Sequence, residues 1–573
     1  MNSDLRARVE RVAEIHALYN ALKHDSDANA GAILGPMMAD HPEFRAHGDT
    51  VASIVQSVVE TVNDRDRADR RERLAELDPD HLAELEAEPE SDDSEPLPTL
   101  PGTDAVDEVR LRCAPNPNGP WHIGSARMGA VMGTYASMYD GWLLVRFDDT
   151  DPATKRPDPA AYDMILTDLD YLGFTPDAVV RASDRMELYY DRAREVIEHG
   201  GAYACTCPQS TFASLKREGE PCPHREQSIE EALSDLESMI AGEYSAGEIV
   251  LRIRTDMAAP NPAERDWVAL RVVDEAHPLE SAADYRCWPM LDYQSAIDDH
   301  ELGITHIIRG KDLQDSARRQ GYLYAYFDWT YPEVVHWGRI RVDEYDVPMS
   351  TSELRARIND GSLVGWSDAR APTLRALRRR GIRGEAVTEA MLELGVSTSD
   401  VSLSMSSIYA RNRELVDDEA DRFFMVRDGR VFSLIGDVPD AAHPPRHPTD
   451  AARGDRHIPL DDRVAIEARD VPDHGERVWL KGIGCVELIR DAFSLTGEPI
   501  NVVRDEDVPV IHWVPADRNV EVDVQAVEGS YTAQAEPGFR DAPLDAIVQF
   551  ERVGFARVDE QRDDRTIVYF AHG

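Results

Sequence analysis

Residues 115–124, PNPNGPWHIG, combine turn-forming residues with one histidine, His122, immediately before a helical pattern that starts at Ile123. The first backbone amides of a helix have no intrahelical partner, so this end of a helix favours an anion. Gly124 leaves room for a flat base against the backbone, and His122 can donate to a phosphate whose charge grows during nucleotidyl transfer. The run predicts a nucleotide site; the alternative is an ordinary strand-to-helix turn with a surface histidine.

A second set of residues has metal-ligand spacing. Cys205, Cys207, Cys222 and His224 read C-x-C-x14-C-x-H. Two close pairs of such ligands suit a tetrahedral zinc ion that holds a small insertion together. The alternative is that the cysteines are buried small apolar side chains. We expect a structural zinc site and not a catalytic one, because no set of ligands with an open position and a neighbouring base is evident.

A third feature is a local excess of positive charge. Residues 355–383 contain eight arginines and two aspartates. Clustered arginines bind nucleic-acid phosphates, although high salt weakens that contribution and leaves more to shape and stacking. The alternative is a helical surface with arginines that face solvent.

These residues need a scaffold, and the pattern around His122 supplies one. Residues 109–115 and 142–149 read as strands on either side of a helix from about Ile123 to Tyr139. A strand, helix and strand of this length predict a parallel sheet with a right-handed crossover. Ligands of such sheets bind at the carboxyl ends of the strands, which is where the His122 turn lies.

The rest of the chain divides by composition and periodicity. We expect a helical amino-terminal region, an acidic proline-rich linker, the parallel-sheet domain with an insertion, a helical region and a terminal all-β domain. The corresponding ranges are 1–85, 86–104, 105–350 with the insertion at about 200–290, 351–415 and 416–573.

The overall composition is strongly acidic, with 108 Asp and Glu residues, 62 Lys and Arg residues and a formal net charge of −46. Lysine is rare, at positions 23, 155, 216, 311 and 481. Self-repulsion of this size is screened at about 1 M salt, where the Debye length is roughly 3 Å, so the composition indicates a very salty interior. Neither a membrane span nor a signal peptide is apparent, and we expect a cytoplasmic protein without membrane contact.

The run RCAPNPNGPWHIGSAR resembles the HIGH signature of class I aminoacyl-tRNA synthetases, in the form used by the glutamyl and glutaminyl enzymes, and the resemblance extends over about residues 105–420. It implies a Rossmann-like catalytic domain that uses ATP and Mg²⁺, with His122 and Gly124 as catalytic positions. It implies ATP contacts along the whole turn: Pro115, Asn116, Pro117, Asn118, Gly119, Pro120, Trp121, His122, Ile123, Gly124, Ser125 and Ala126.

The resemblance also implies the glutamate site. Arg112, Asn116 and Asp148 match positions that hold the amino acid, with Asp149 and Asp151 as alternatives to Asp148. In the segment 284–313, Arg309 matches the arginine that pairs with the side-chain carboxylate, for which a guanidinium fork is suited. Leu291 and Ser295 are expected to line the pocket. Leu291 departs from the aromatic residue of many relatives, and Tyr293 is a candidate to replace it.

The second signature of the family, the KMSKS loop, matches Pro348–Ser352 with both lysine positions changed. Ser350 and Ser352 are carried over as catalytic positions, and Arg355 or Arg357 is expected to supply the missing charge. The alternative is a descendant that binds tRNA without catalysis. The segment 362–382 resembles the family's stretch leading to the anticodon-binding part, which implies tRNA contacts from Arg370, Arg375, Arg378, Arg379 and Arg380.

The helical amino-terminal region and the β-type carboxy-terminal domain resemble those of the archaeal glutamyl-tRNA synthetases. The acidic composition indicates that the source organism is a halophile. The resemblance implies a monomer that charges tRNA(Glu) with L-glutamate; whether tRNA(Gln) is also charged stays open. The sibling alternative is a glutaminyl-tRNA synthetase. Some relatives hold zinc in the same insertion, which agrees with the cysteine spacing.

Overall fold

The computed structural model describes residues 3–23, 28, 30–31, 33, 37, 44, 48–63, 65, 67–78, 96–342, 345 and 349–573. The chain forms two compact units, residues 1–95 and 96–573. Residues 86–95 of the expected linker and Pro348 of the second signature lie outside the described residues. Within the described ranges, every helix is too short or too polar to span a lipid bilayer.

The first unit is helical where it is described. Val9, Ala13, Val51 and Val55 are buried at helical spacing and form its core. Its helices are α1 (Ser3–Lys23), α2 (Gly48–Asn63) and α3 (Arg67–Leu77).

The second unit begins with a parallel sheet that carries the His122 turn. Strands β1 (Arg110–Cys113), β2 (Trp142–Phe147) and β3 (Ala178–Arg181) pair in parallel in that order. Apolar residues fill the strands between the turns, and the crossover helices bury their apolar faces on them. Those helices are α4 (Ile123–Met138), α5 (Ala161–Tyr171) and α6 (Met186–Glu198).

An insertion follows α6 within residues 200–290. Its antiparallel sheet contains β4 (Ala202–Cys205), β5 (Val250–Ile253), β6 (Val268–Val272) and β7 (Cys287–Pro289) in sequence order. Its helices are α7 (Gln209–Glu218) and α8 (Ile229–Ile240).

The chain then returns to the parallel sheet. The backbone amide of Thr305 donates to the carbonyl of Arg110 at 3.0 Å, which places the next strand beside β1. The elements here are α9 (Leu291–Glu301), β8 (His306–Gly310), α10 (Gln314–Phe327) and β9 (Glu333–Trp337), with β8 and β9 parallel.

A mainly helical region connects this sheet to the end of the chain. Strand β10 (Ile340–Val342) precedes the first three helices of this region and β11 (Val401–Leu403) follows them, and the two strands pair in parallel. The helices are α11 (Thr351–Asn359), α12 (Leu374–Arg380), α13 (Gly384–Glu393) and α14 (Met405–Val416).

The carboxy-terminal part is built from β-strands, which confirms the expected fold class. One seven-stranded sheet has the order β12-β25-β26-β27-β23-β24-β13 and another has the order β21-β18-β19-β20-β14-β17-β22. Strands β15 and β16 form a separate pair, and helix α15 (Ile500–Asp505) lies between β20 and β21. The strands are β12 (Asp421–Phe423), β13 (Met425–Val426), β14 (Gly429–Ile435), β15 (Ala441–Ala442), β16 (Ile458–Pro459), β17 (Arg463–Glu467), β18 (Arg477–Leu480), β19 (Gly484–Ile489), β20 (Ala492–Leu495), β21 (Val510–Ile511), β22 (Val514–Pro515), β23 (Val520–Ala526), β24 (Gly529–Ala535), β25 (Ile547–Phe550), β26 (Gly554–Gln561) and β27 (Arg565–His572).

Candidate active site

His122 caps the amino terminus of α4. Its Nδ1 accepts from the backbone amide of Ser125 at 3.2 Å. Burial lowers the pKa of His122 to about 4, so the ring is neutral near pH 7. Because Nδ1 is the acceptor, the single ring proton is on Nε2, which makes Nε2–H a hydrogen-bond donor beside the helix amides.

The backbone around His122 is held from two sides. The amide of Ile123 donates to the carbonyl of Pro372 at 2.9 Å, and the amide of Leu374 donates to the carbonyl of Trp121 at 3.0 Å. From the other side, the Trp121 amide donates to Oδ2 of Asp168 at 2.8 Å. These bonds fix the position of the histidine before any ligand binds.

The expected ATP contacts divide into three groups. Trp121, Ile123 and Ala126 pack into the hydrophobic core, so their side chains support the turn and are not available to a ligand. His122 and Gly124 are partly buried at the start of the helix, the end whose dipole favours negative charge. Ser125 is the third residue of α4, and the other expected contacts form the turn before His122: Pro115, Asn116, Pro117, Asn118, Gly119 and Pro120.

A cavity of about 470 Å³ opens at the carboxyl ends of β1, β2 and β8. It brings together all the residues expected to bind glutamate: Arg112, Asn116, Asp148, Leu291, Ser295 and Arg309. Leu291 lies at the mouth, with 44% of its surface exposed. Tyr293 does not replace it, because Tyr293 is fully buried and donates to the carbonyl of Tyr189.

A buried ion network forms one wall of the cavity. Asp299 accepts from Nε of Arg112 at 2.9 Å and from Nη1 of Arg146 at 2.6 Å. Burial alone would raise the pKa of Asp299, but the two guanidinium groups outweigh it and lower the pKa. Arg112 is therefore already paired with a carboxylate, and Asp299 fixes its position.

Asp148 is the carboxylate that the cavity presents beside this network. Its Oδ1 accepts from Nε of Arg146 at 2.8 Å and from Nε2 of Gln294 at 3.1 Å. Burial raises its pKa despite Arg146, and an ammonium group placed against it would lower that pKa. Of the alternatives, Asp149 is fully buried under Tyr162 and Ser183, whereas Asp151 lines the cavity and pairs with Arg271.

Arg309 differs from the other buried arginines of the site. Its Nη1 donates to Oε1 of Gln320 at 3.1 Å, and its Nη2 donates to the hydroxyl of Tyr331 at 2.9 Å. Its Nε is buried without a hydrogen-bond partner, and none of the described carboxylates lies within 4 Å of the guanidinium. A buried cation without an anion is costly, so this end of the cavity is suited to a carboxylate.

The sequence did not predict four residues that hold the cavity's arginines and Asp148 in position. Arg146, Asp299, Gln320 and Tyr331 hold the predicted residues in place through the bonds described above. One signal was present, because Arg146 interrupts the apolar strand WLLVRF and a charged residue inside a buried strand needs a partner.

The second signature begins α11. Oγ of Ser350 lies 3.0 Å from Oγ of Ser352. Of the two arginines expected to supply charge, Arg355 is already engaged, because its Nη2 is 2.7 Å from both the carbonyl of Asn118 and Oδ2 of Asp158. The same role for Arg357 stays a prediction.

The residues with metal-ligand spacing converge in the insertion. The ligand atoms of Cys205, Cys207, Cys222 and His224 all lie within 4.8 Å of one another. Oγ1 of Thr206 is 3.0 Å from Nε2 of His224 and orients the ring with Nδ1 toward the sulfurs, 3.3 Å from Sγ of Cys207. Three sulfurs and one nitrogen at this spacing match the four ligands that a structural zinc ion takes.

The arginines expected to bind tRNA have different environments. Arg380 is a structural residue, which corrects the expectation: it is 2% exposed and donates to the carbonyls of Phe570 and Ala571. Arg379 pairs with Asp559 at 2.7 Å, and Arg370 pairs with Asp368 at 2.7 Å.

Arg375 and Arg378 line an open cleft of about 700 Å³, together with Asp168. Arg378 is exposed, and Nε of Arg375 is buried without a hydrogen-bond partner. Arg379 also lines this cleft but is paired with Asp559, whereas Arg375 and Arg378 form no salt bridge with the described residues and are the better candidates for contact with a phosphate backbone.

Comparison with known families agrees with this geometry. Residues 108–418 match the catalytic domain of the class I tRNA synthetases (E and Q). Residues 420–503 and 510–559 match the two parts of the anti-codon binding domain of the same group. The chain therefore belongs to the class I tRNA synthetases of the E and Q type.

Individual relatives narrow the comparison further. The chain is 59% identical to the Glutamate--tRNA ligase of Natronomonas pharaonis, 57% to that of Haloarcula marismortui and 56% to that of Halobacterium salinarum. Each match covers 100% of this chain and 100% of the relative. These matches confirm the archaeal type expected from the domain arrangement and the halophilic source expected from the composition.

Proposed function

We propose that this protein is a glutamate–tRNA ligase, which uses ATP to attach L-glutamate to the 3′ end of tRNA(Glu). The observation that carries the proposal is Arg309, a buried guanidinium that donates to an amide and a phenol and has no described carboxylate partner. The side-chain carboxylate of glutamate would complete this site, whereas the amide of glutamine would leave the charge unmatched. The names of the relatives support glutamate over the glutaminyl alternative.

In the first step, the α-carboxylate of glutamate attacks the α-phosphorus of ATP and pyrophosphate leaves. Asp148 holds the ammonium group and Arg309 holds the side-chain carboxylate, so the reacting carboxylate points toward the His122 turn. Nε2–H of His122 and the positive end of the α4 dipole stabilise charge on the phosphate oxygens. Mg²⁺ accompanies the triphosphate and neutralises its charge when bound.

In the second step, a ribose hydroxyl of the terminal tRNA adenosine attacks the glutamyl carbonyl, and AMP leaves. No side chain of the site is assigned as a general base, so the rate enhancement comes mainly from positioning and from fixed dipoles. We propose that Arg375 and Arg378 contact tRNA phosphates, and that tRNA(Gln) is a second substrate to be tested beside tRNA(Glu).

Cys205, Cys207, Cys222 and His224 would hold one zinc ion in this proposal. The ion would stabilise the insertion and take no part in the reaction, because the donor set is closed. We also propose that the protein is a monomer. It would work in the cytoplasm, where ATP, glutamate and tRNA are available.

The test is transfer of labelled glutamate to total archaeal tRNA in about 2 M KCl, a salt level that screens the net charge. We expect charging by the natural chain and a loss of about 100-fold or more in kcat for His122→Ala. His122→Gln retains a side-chain donor and is expected to be affected less. If the natural chain binds tRNA but charges it with neither glutamate nor glutamine, the non-catalytic alternative is correct.

A further inference from the structure

Helix α11, which follows the second signature, packs directly on the His122 turn. A Cβ atom at Gly119 would lie 2.5 Å from Cγ2 of Thr351 and 3.2 Å from the ring of Trp366. Only glycine permits this approach without a shift of one of the two segments. The two signatures are therefore in van der Waals contact.

Arg355 of α11 strengthens this contact with hydrogen bonds. Its Nη2 donates to the carbonyl of Asn118 at 2.7 Å and to Oδ2 of Asp158 at 2.7 Å. The amide of Asp158 in turn donates to the carbonyl of Pro117 at 2.8 Å. One guanidinium thus holds the His122 turn directly at Asn118 and indirectly through Asp158.

The surroundings of Arg355 favour this arrangement. Burial alone would raise the pKa of Asp158, but hydrogen bonds from Arg355 and from the amide of Ala160 lower it, so Asp158 stays charged. The guanidinium of Arg355 also lies 5.4 Å from the centre of the Trp366 ring. The bond to the Asn118 carbonyl involves no anion and is therefore less sensitive to salt than the ion pair.

We propose that Arg355 is a positioning residue that joins the two ATP-binding signatures. This inference rests on the proposed function. The run Met349–Ser352 contains no basic residue, and the nearest following arginine contacts the turn that binds ATP. Arg355 thus acts by holding the turn in place, whereas contact with the leaving pyrophosphate would require it to leave Asp158.

Arg355→Ala releases the turn from α11, so we expect the KM for ATP to rise about 10- to 100-fold in aminoacylation. The KM values for glutamate and tRNA should stay within about two-fold, because their sites do not include this contact. Arg355→Lys offers a point charge without the planar fork and should recover only part of the loss. Asp158→Asn keeps the Asn118 bond and should have a smaller effect than Arg355→Ala.

The matched control is Arg194→Ala. It removes an arginine of α6 whose guanidinium lies 2.7 Å from the carboxylate of Glu237 in the insertion. Hydrogen exchange of the amides in residues 115–122 supplies a readout that needs no activity, and we expect it to be faster in Arg355→Ala than in the natural chain. Titration with a non-hydrolysable ATP analogue should show the same loss of affinity.

Unchanged ATP affinity and unchanged exchange in Arg355→Ala would overturn the inference. Equal losses for ATP, glutamate and tRNA would also overturn it, because they indicate general unfolding. Failure of the natural chain to charge tRNA would refute the proposed function alone, since exchange and analogue binding still test Arg355.

Discussion

Nη1 of Arg309 donates to the amide oxygen of Gln320, 3.1 Å away, and not to a carboxylate. By contrast, Arg112 on the neighbouring strand β1 is paired with Asp299. The cavity therefore has one guanidinium that is paired by the protein and one that is left for a ligand. In the proposed function, this asymmetry would orient glutamate, an amino acid with two carboxylates.

The first prediction concerns Arg309 itself. Arg309→Ala should raise the KM for glutamate about 100- to 1000-fold, because loss of one partner of a buried charge pair costs about 2–5 kcal/mol. The KM for ATP should change little. Steady-state aminoacylation with each substrate varied in turn measures both. Arg309→Lys, which keeps charge without the fork, is the companion variant; unaltered glutamate affinity in Arg309→Ala would refute this role.

The second prediction concerns the pH dependence that Asp168 introduces. Burial raises its pKa from the ordinary 3.8 to about 7, against the opposing effects of the Trp121 amide and of Arg375 and Arg378. The folded state therefore binds the proton more tightly than the unfolded state, and this group reduces stability as pH rises from about 4 to 7. The reduction is about 4 kcal/mol at most, and it is complete above pH 7.

Asp168→Asn removes this titration and keeps an oxygen to accept the Trp121 amide. We expect the variant to gain stability relative to the natural chain between pH 5 and pH 8, measured by denaturant unfolding at constant high salt. A difference between the two proteins that is constant with pH would contradict the raised pKa. Activity of the variant reports separately on the position of His122.

The third prediction separates two arginines of α12. Arg378→Ala should weaken tRNA binding and lower the slope of log affinity against log salt by about 1, because Arg378 is exposed on the cleft. Arg380→Ala should leave that slope unchanged and lower the unfolding midpoint, because Arg380 anchors α12 to the carbonyls of Phe570 and Ala571. Binding isotherms over a salt series and thermal unfolding test both. The reverse assignment of effects would contradict the structure.

The structure explains why the sequence alone did not distinguish the buried arginine of α12 from the exposed ones. The run LRALRRR predicts a basic helix, but nothing local to it shows that Arg380 turns inward onto a strand about 190 residues later in the chain. The residues expected to bind the substrate glutamate were predicted from the resemblance to the family, whose motifs fall at β1, β2 and β8. Their supports were missed, since Arg146 meets Asp299 and Trp121 meets Asp168 only after the sheet has formed.

The fourth prediction concerns the cysteine and histidine cluster. The purified chain should contain one zinc ion, measured by elemental analysis, and removal with a chelator should lower the unfolding midpoint. Cys222→Ser should lose the metal, whereas Cys485→Ser, a change in the carboxy-terminal part, should retain it. A full-length chain with no zinc and unaltered stability in chelator would show that the cysteines act as buried apolar residues.

The most direct test of the account is the ratio of kcat/KM for glutamate to that for glutamine, measured in competition on tRNA in about 2 M KCl. A buried guanidinium with no carboxylate partner among the described residues predicts a ratio of at least about 100 in favour of glutamate, and Arg309→Gln should reduce it. A ratio near one, or a preference for glutamine, would contradict the assignment of Arg309 as the residue that selects the side-chain carboxylate.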